Sequence, residues 1–404
     1  MERWSVFVAC APGLEHLLGE EIAALGADAA GMSVVAGGVE LLAGEATLYR
    51  LHLELGLALK ILVRLGEFRA KGFRELERAA ASLAWEHWCR PGRAVHVRAT
   101  CRHSRLWHSD AVAQRFDAAI AERLARASSQ RGRRKAPSSE TEAAEVHVRI
   151  VDDLCTVSID TGGDVLSRRG YREAGAKAPL REDLARALVI ASGWDRQSLL
   201  VDPLAGSATI AIEADWLARG VPPGHMRSFA LFDMPGFDAG LWNELKASAL
   251  GRSVATGPAI FASDRDAGAV KAARANAERA GSAGIQIDEA ALMKAPGLAL
   301  PAPEHGAVVS NPPWGRRVRG RDPLANLYAA FGNKVRALPG RWRVALVVPS
   351  PELSRATGLA LEPALMTDHG GVKVYFAVGE GRAAMARRRA VPRRRKRDTV
   401  PRGK

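Results

Sequence analysis

Asn311, Pro312, Pro313 and Trp314 are consecutive, and together they can hold one kind of reactive group. The Asn311 side-chain oxygen and the Pro312 carbonyl are two acceptors, and an exocyclic amine on a planar base presents two N–H donors. Trp314 adds a face on which a base taken out of its stack can rest. The apolar run Ala307 to Val309 just before them reads as a buried parallel strand. Two successive prolines cannot donate to a sheet ladder, so this strand must stop at Asn311. In an open α/β sheet ligands bind just outside the carboxyl ends of the strands, which is where this rigid tip falls. The residues after Trp314 include Arg316, Arg317, Arg319 and Arg321. They are expected to grip phosphate. An exposed basic turn would carry the same pattern.

The elements that place this tip follow from the alternation of strand and helix signals after Ser198, which predicts a parallel doubly wound sheet. Leu199 to Val201 reads as a buried strand running into Asp202-Pro203-Leu204-Ala205-Gly206-Ser207-Ala208-Thr209. A turn of small residues lets a ligand approach the backbone, and the N–H groups of the helix expected over Ser207 to Arg219 face that ligand. Gly220 is the stop. A second strand, Ala259 to Asp264, ends on an acid whose two carboxylate oxygens can accept both hydroxyls of a ribose. Asp266 reads as the N-cap of a helix from Ala267 to Arg279. Further strands are expected at Ile285 to Ile287, Arg343 to Val348 and Val372 to Val378, with a helix over Leu324 to Leu338. The spacing predicts one more helix ahead of all these, with Pro179 in its first turn, acids Glu182 and Asp183 near its start, and Gly193 at its end.

The amino-terminal half mixes short strands and helices without a nucleotide-binding glycine loop, which predicts small α+β modules. Strands are expected at Val6 to Ala9, on either side of Gly37-Gly38 within Val34 to Leu42, at Leu59 to Phe68 and at Ala94 to Thr100. A last strand pair, Val146 to Ile150 and Cys155 to Asp160, is expected around Asp152-Asp153. Helices are expected over Gly13 to Leu25, Glu45 to Leu57, Phe73 to Trp85 and Ser109 to Ala127. Arg126 to Glu145 is expected to be a mobile basic loop. Arg98, Arg102, His103, Arg105 and His108 cluster in and after one strand with Trp107 among them, the residue types that contact phosphate and stack on a base. A solvated basic loop is the competing reading.

At 404 residues the chain is long enough for two or three domains. No apolar run reaches membrane-spanning length and the start lacks a charged-then-apolar signal, so no membrane partner is expected. Cys10, Cys89, Cys101 and Cys155 are scattered, with no C-x-x-C pair, which reads as reduced thiols in a cytoplasmic protein and excludes a zinc site or disulfide frame. Ten Lys/Arg against one Asp between Arg387 and Lys404 carry +9 of the net charge of +14. A basic tail of this kind binds polyanions or stays solvated.

Asn-Pro-Pro-aromatic after an apolar strand resembles the catalytic motif of amino-methyltransferases, which act on adenine N6, guanine N2, cytosine N4 or a glutamine amide. The turn Asp202 to Thr209 is similar to the Asp-Pro-x-x-Gly-Ser-Gly-Thr loop with which that family cradles S-adenosyl-L-methionine, with Leu204-Ala205 at the usual bulky-Cys pair and Ala208 in place of a glycine. This implies that Asp202, Ala205, Gly206, Ser207, Asp264 and Asn311 hold the cofactor. Pro179 and Leu180 would lie beside its methionine part, and Glu213 would face its amine or solvent. The stretch from Pro222 to Trp242 matches the family's insert after that helix. Ala11-Pro12-Gly13-Leu14-Glu15, Val35-Ala36-Gly37-Gly38-Val39 and Arg102 to Ser109 resemble a ferredoxin-like segment followed by a THUMP-type RNA-binding region. The resemblance extends to about residue 381. It implies a class I (Rossmann-like) α/β methyltransferase of seven sheet strands acting on RNA, of the bacterial 23S rRNA guanine-N2 type. The domains would be a ferredoxin-like segment (1–55), THUMP (56–165), methyltransferase (166–385) and a basic disordered tail (386–404). No metal is expected. A tRNA guanine-N2 enzyme, an N6-adenine enzyme, and an RNA-binding or ribosome-assembly protein impaired at Ala205 and Ala208 remain open alternatives.

Overall fold

The computed structural model describes residues 3–26, 31–90, 93–130, 143–172, 179–299, 301–315 and 322–383. The expected basic tail and most of the expected loop between Arg126 and Glu145 lie outside them.

The first half runs β1 (Trp4–Cys10), α1 (Glu15–Ala24), β2 (Ser33–Val35), β3 (Gly38–Ala43), α2 (Glu45–Glu54), β4 (Ala58–Arg69), α3 (Phe73–Ser82), β5 (Val95–Arg102), α4 (Ser109–Gln130), β6 (Ala144–Val151) and β7 (Leu154–Asp160). All seven strands form one sheet in the order β2-β3-β1-β4-β7-β6-β5. β4 is its centre: Val63 pairs with Val6 of β1 on one side and with Ile159 of β7 on the other. β6 and β7 turn around Asp152 and Asp153, both at positive φ (50° and 61°), a conformation Asp tolerates better than most residues. α3 stops at Ser82, before the expected end at Trp85, because Leu83 turns extended. The chain then makes a short 3-10 turn over Trp85–His87 that buries the Trp85 ring, with its indole N–H donating to the Ala80 carbonyl at 2.7 Å.

The second half runs α5 (Glu182–Ala191), β8 (Leu199–Asp202), α6 (Thr209–Arg219), α7 (Ala239–Gly251), β9 (Ile260–Asp264), α8 (Ala267–Arg279), β10 (Gln286–Glu289), β11 (His305–Ser310), α9 (Asp322–Arg336), β12 (Arg341–Val348), α10 (Pro351–Ala356), β13 (Leu359–His369) and β14 (Val372–Ala383). The strand order is β10-β9-β8-β11-β12-β14-β13, parallel from β10 to β12 and antiparallel through β14 and β13. Side chains alternate between two cores: Ala307, Val309, Ala345 and Val347 face one, and Val308, Val344, Leu346 and Val348 the other. A sheet buried on both faces explains why its strands read as continuous apolar runs.

Sequence reasoning missed β13. It is an edge strand interrupted by Pro363, and its register against β14 shifts between Pro363 and Leu365, so it lacks a clean alternation. The expected helix near Pro179 begins only at Glu182, with Pro179 ahead of it. The stretch from Pro222 to Trp242 docks on the first half. The Gly224 N–H donates to the Leu53 carbonyl at 2.8 Å, the Asp238 N–H donates to the Tyr49 hydroxyl at 2.9 Å, and Trp242 and Phe237 pack on the Tyr49 ring. One apolar core is continuous through both halves.

Candidate active site

β8 and β11 lie side by side, paired from Leu199↔Gly306 to Val201↔Val308. From β8 the chain moves outward to β9 and β10, whereas β11 leads the other way to β12. A crevice therefore opens at their carboxyl ends, at the point where the strand order reverses.

Asn311 emerges directly into that crevice. Its Oδ1 is buried and has no hydrogen-bond partner among the described residues. Pro312 is buried and Pro313 exposed, and the Tyr328 hydroxyl of α9 donates to the Pro313 carbonyl at 3.4 Å, which braces the tip from behind. Trp314 is half-buried rather than a free stacking platform. Its ring meets that of His369 at 5.6 Å between centroids and 85° between planes, and its Nε1 is buried without a partner among the described residues. His369 comes from the end of β13, the strand that sequence reasoning missed. Burial, with the Arg181 charge adding to it, pushes its pKa down and keeps the ring neutral.

The loop after β8 is tied down at almost every residue. Ser310 Oγ donates to Asp202 Oδ1 at 2.5 Å and the Leu204 N–H donates to the same oxygen at 3.3 Å. Burial pushes the Asp202 carboxyl up to about 7; these two bonds oppose the shift and the Asp264 charge adds to it. The Gly206 N–H donates to Asp264 Oδ2 at 3.0 Å and the Asp266 N–H to Asp264 Oδ1 at 3.0 Å. Each carboxylate oxygen keeps a lone pair for a further donor. Asn276 Nδ2 donates to the Ser207 carbonyl at 3.1 Å, and Ser207 Oγ is buried without a partner among the described residues. Gly206 has φ +53°, and a Cβ there would meet no atom of the described residues within 4 Å, so these residues leave the space over this turn open. Ala208 also has positive φ (64°), which costs an L-residue about 1–2 kcal/mol. Its methyl is buried in the main core. Leu180 is buried and Pro179 half-buried. Arg172 ties this segment to the loop, donating to the Leu180 carbonyl at 3.0 Å and to Thr209 Oγ1 at 2.6 Å. Asp288 is half-buried and Glu289 exposed at the end of β10, Glu289 being paired with Asp264.

Glu213 does not face solvent. It is fully buried between Arg169 at 3.2 Å and Arg186 at 3.5 Å. Arg186 reaches on to Glu21 of α1 at 3.3 Å, and Glu21 accepts the Gly56 and Leu57 N–H groups at 2.9 Å. Arg169 donates to the carbonyls of Gly56 and Leu166. Glu213 thus anchors the two arginines that bond to the first half. No sequence signal marks it, because its partners are 44 and 27 residues away.

On the first sheet, Arg102 and Arg105 are exposed and Trp107 is 74% exposed, with its ring against His108. The loop is stapled beneath them: the Arg105 N–H donates to Asp153 Oδ1 at 2.8 Å, and the Asp153 N–H to Ser104 Oγ at 3.1 Å. Arg98 is partly spent, paired with Glu145 at 3.1 Å. Arg316 and Arg317 lie outside the described residues. Glu145, His147 and Asp160 have the spacing of a metal site. The Lys60 ammonium already lies among them, at 2.8 Å from Glu145 and 2.5 Å from Asp160. A cavity of about 1060 Å³ lies away from the tip, between β1, α2 and the segment before α7, with Trp4, Tyr49, Trp88 and Phe237 in its walls. Among the described residues no helix is long and apolar enough to cross a membrane.

Three family models match successive parts of the chain: an RlmL ferredoxin-like domain over residues 5–62, a THUMP domain over 70–160 and an RMKL-like methyltransferase domain over 169–366. The ribosomal RNA large subunit methyltransferase K/L of Syntrophotalea carbinolica is 34% identical over 367 residues, 87% of this chain. The chain spans about half the length of that relative (50%). A predicted N6-adenine-specific DNA methylase from Listeria monocytogenes is 27% identical at a TM-score of 0.80, over 93% of this chain and 96% of that one. SMU.472, solved in complex with SAH, shares the fold at 24% identity and a TM-score of 0.83, over 96% of this chain and 100% of that one.

Proposed function

The chain belongs to the THUMP-bearing RMKL-like methyltransferases, and on that premise we propose that it methylates guanine N2 in 23S rRNA, with S-adenosyl-L-methionine as donor. One observation carries the reading: at the strand-order switch point, the sheet ends in an amide oxygen, Asn311 Oδ1, that is buried and has no partner among the described residues. A buried acceptor left without a donor costs about 1–3 kcal/mol, so a ligand amine is the natural partner.

The residues present fit the cofactor. The open space over Gly206, the carboxylate of Asp264 and the orphaned Ser207 hydroxyl form a polar cradle, with Asp202, Ala205, Pro179 and Leu180 around it. The Ala208 methyl, buried in the core, leaves that cradle clear. When bound, S-adenosylmethionine supplies a methyl on a positively charged sulfur. Asn311 Oδ1 and the Pro312 carbonyl hold the two amine hydrogens and turn the nitrogen lone pair toward that methyl. Transfer would form the N–CH3 bond as the C–S bond breaks and a neutral thioether leaves; both acceptors would stabilise the cationic nitrogen until it releases one proton to solvent, so catalysis is positioning plus electrostatics, with no prior deprotonation. Trp314, held by His369, packs against the base. Arg102, Arg105 and Trp107, with Arg98, Arg316 and Arg317, supply phosphate and stacking contacts to folded RNA.

The test is transfer of labelled methyl to total RNA from a strain lacking the gene, followed by nucleoside analysis. Label in N2-methylguanosine of 23S rRNA is the expected result. Label in tRNA or in N6-methyladenosine would move the substrate, and absence of label with the cofactor bound would overturn the reading.

A further inference from the structure

We propose that the Ser310–Asp202 hydrogen bond is a latch that fixes the direction of the Asn311 amide, making Ser310 and Asp202 positioning residues for methyl transfer. The inference rests on the reading of Asn311 given above. Asn311 makes no orienting bond through Oδ1, since that atom has no partner among the described residues. Among the described residues, what holds its aim is therefore the backbone on either side. On the carboxyl side the chain is stiffened by Pro312 and Pro313, whose φ angles are fixed by their rings. On the amino side stands Ser310, the last residue of β11.

Ser310 still pairs with Leu346 of β12, but on the β8 side the ladder has ended two residues earlier, at Val201↔Val308. Past that point the bond from Ser310 Oγ to Asp202 Oδ1, at 2.5 Å, bridges the parting strands. Both residues are shut off from water, Ser310 at 0% and Asp202 at 1% exposure. A hydroxyl bonded to a carboxylate in so dry a place is among the stronger hydrogen bonds a fold can make. Asp202 is itself fixed by the Leu204 N–H, and the charged group that acts on it is Asp264 of β9, whose oxygens hold the Gly206 and Asp266 N–H groups. The latch thus joins the turn after β8 to the catalytic tip, and the register of one sets the aim of the other.

The experiment compares S310A and S310T in the full chain. S310A is expected to lower kcat by roughly ten- to a hundredfold, the scale of a small misplacement of a reacting group, with the KM for RNA and the affinity for SAH changed less than about threefold. S310T, which keeps the hydroxyl, should restore most of kcat. A second readout needs no turnover: the 13C signal of the Asp202 carboxyl, followed against pH in the ligand-free protein, should titrate at higher pH in S310A and near the wild-type midpoint in S310T. Wild-type turnover together with an unaffected S310A, or an unmoved carboxyl titration, overturns the latch alone. A wild-type protein that binds SAH yet methylates no amine overturns the methyl-transfer reading and this role with it.

Discussion

Two groups of buried polar atoms sit in the second half of this protein, and they are opposites. At the joint with the first half, Glu213 lies between two arginines, and Glu21, Gly56 and Leu166 take up the remaining hydrogen bonds. At the tip, Asn311 Oδ1, Trp314 Nε1, Ser207 Oγ and His369 Nδ1 are buried with no partner among the described residues. The first arrangement is complete as it stands. The second is left incomplete by the described residues, which is the difference expected between a structural cluster and a site.

The sharpest break of this contrast is E213A. It would take from buried Arg169 its carboxylate partner and leave Arg186 with Glu21 alone, and removing one partner of such a set costs about 3–5 kcal/mol. Burial works against the Arg169 charge, but Glu213, with Glu182, Tyr171 and Asp183, outweighs it, so the charge persists and the loss is real. Urea unfolding should show the lost stability, and E213A retaining wild-type stability would remove the joint from this account. N311A should do the reverse. It should cut methyl transfer by roughly 10²–10³-fold, as losing one aligned polar group does, while leaving the melting temperature unchanged or raised because an orphaned acceptor has gone. Scintillation counting and a thermal melt on one preparation check both halves.

Asp202 adds a pH dependence. Its folded pKa of about 7 lies above an unfolded value of about 3.9, so the folded state holds the extra proton between them. That contribution is present below about pH 4 and is lost as pH rises through 7. D202N carries no such charge, so its stability should gain on the wild type between pH 5 and pH 8. Parallel unfolding curves at the two values would show that the carboxyl is not held as described. The smallest effect is expected of A208G. Relief of about 1–2 kcal/mol of left-handed strain is set against about 0.8 kcal/mol for the buried methyl, a net change within about 1 kcal/mol of zero or slightly stabilising. Affinity for SAH should not move, because that methyl faces the core.

What could be read from the sequence was whatever a local pattern decides. The Asn311-Pro312-Pro313 tip was legible because prolines end a strand whatever surrounds them. Asp266 was legible as an N-cap, and it accepts the Gly268 and Ala269 N–H groups at 2.8 and 3.2 Å. Partnership was not legible. Glu213 carries no mark of its arginines, the docking of Trp242 and Phe237 on Tyr49 reads as three unrelated aromatics, and His369 sits on an edge strand broken by Pro363. A linear pattern gives the face a side chain occupies but not what waits there.

β4 has a practical consequence for anyone recombining these modules. Residues 58–69 serve as the seam of the first sheet, bonded to β1 on one edge and β7 on the other. A chimera that takes its ferredoxin-like piece from one parent and its THUMP piece from another must assign this strand to one of them, leaving the other with a raw edge open to aggregation. The workable exchange unit is therefore the whole sheet.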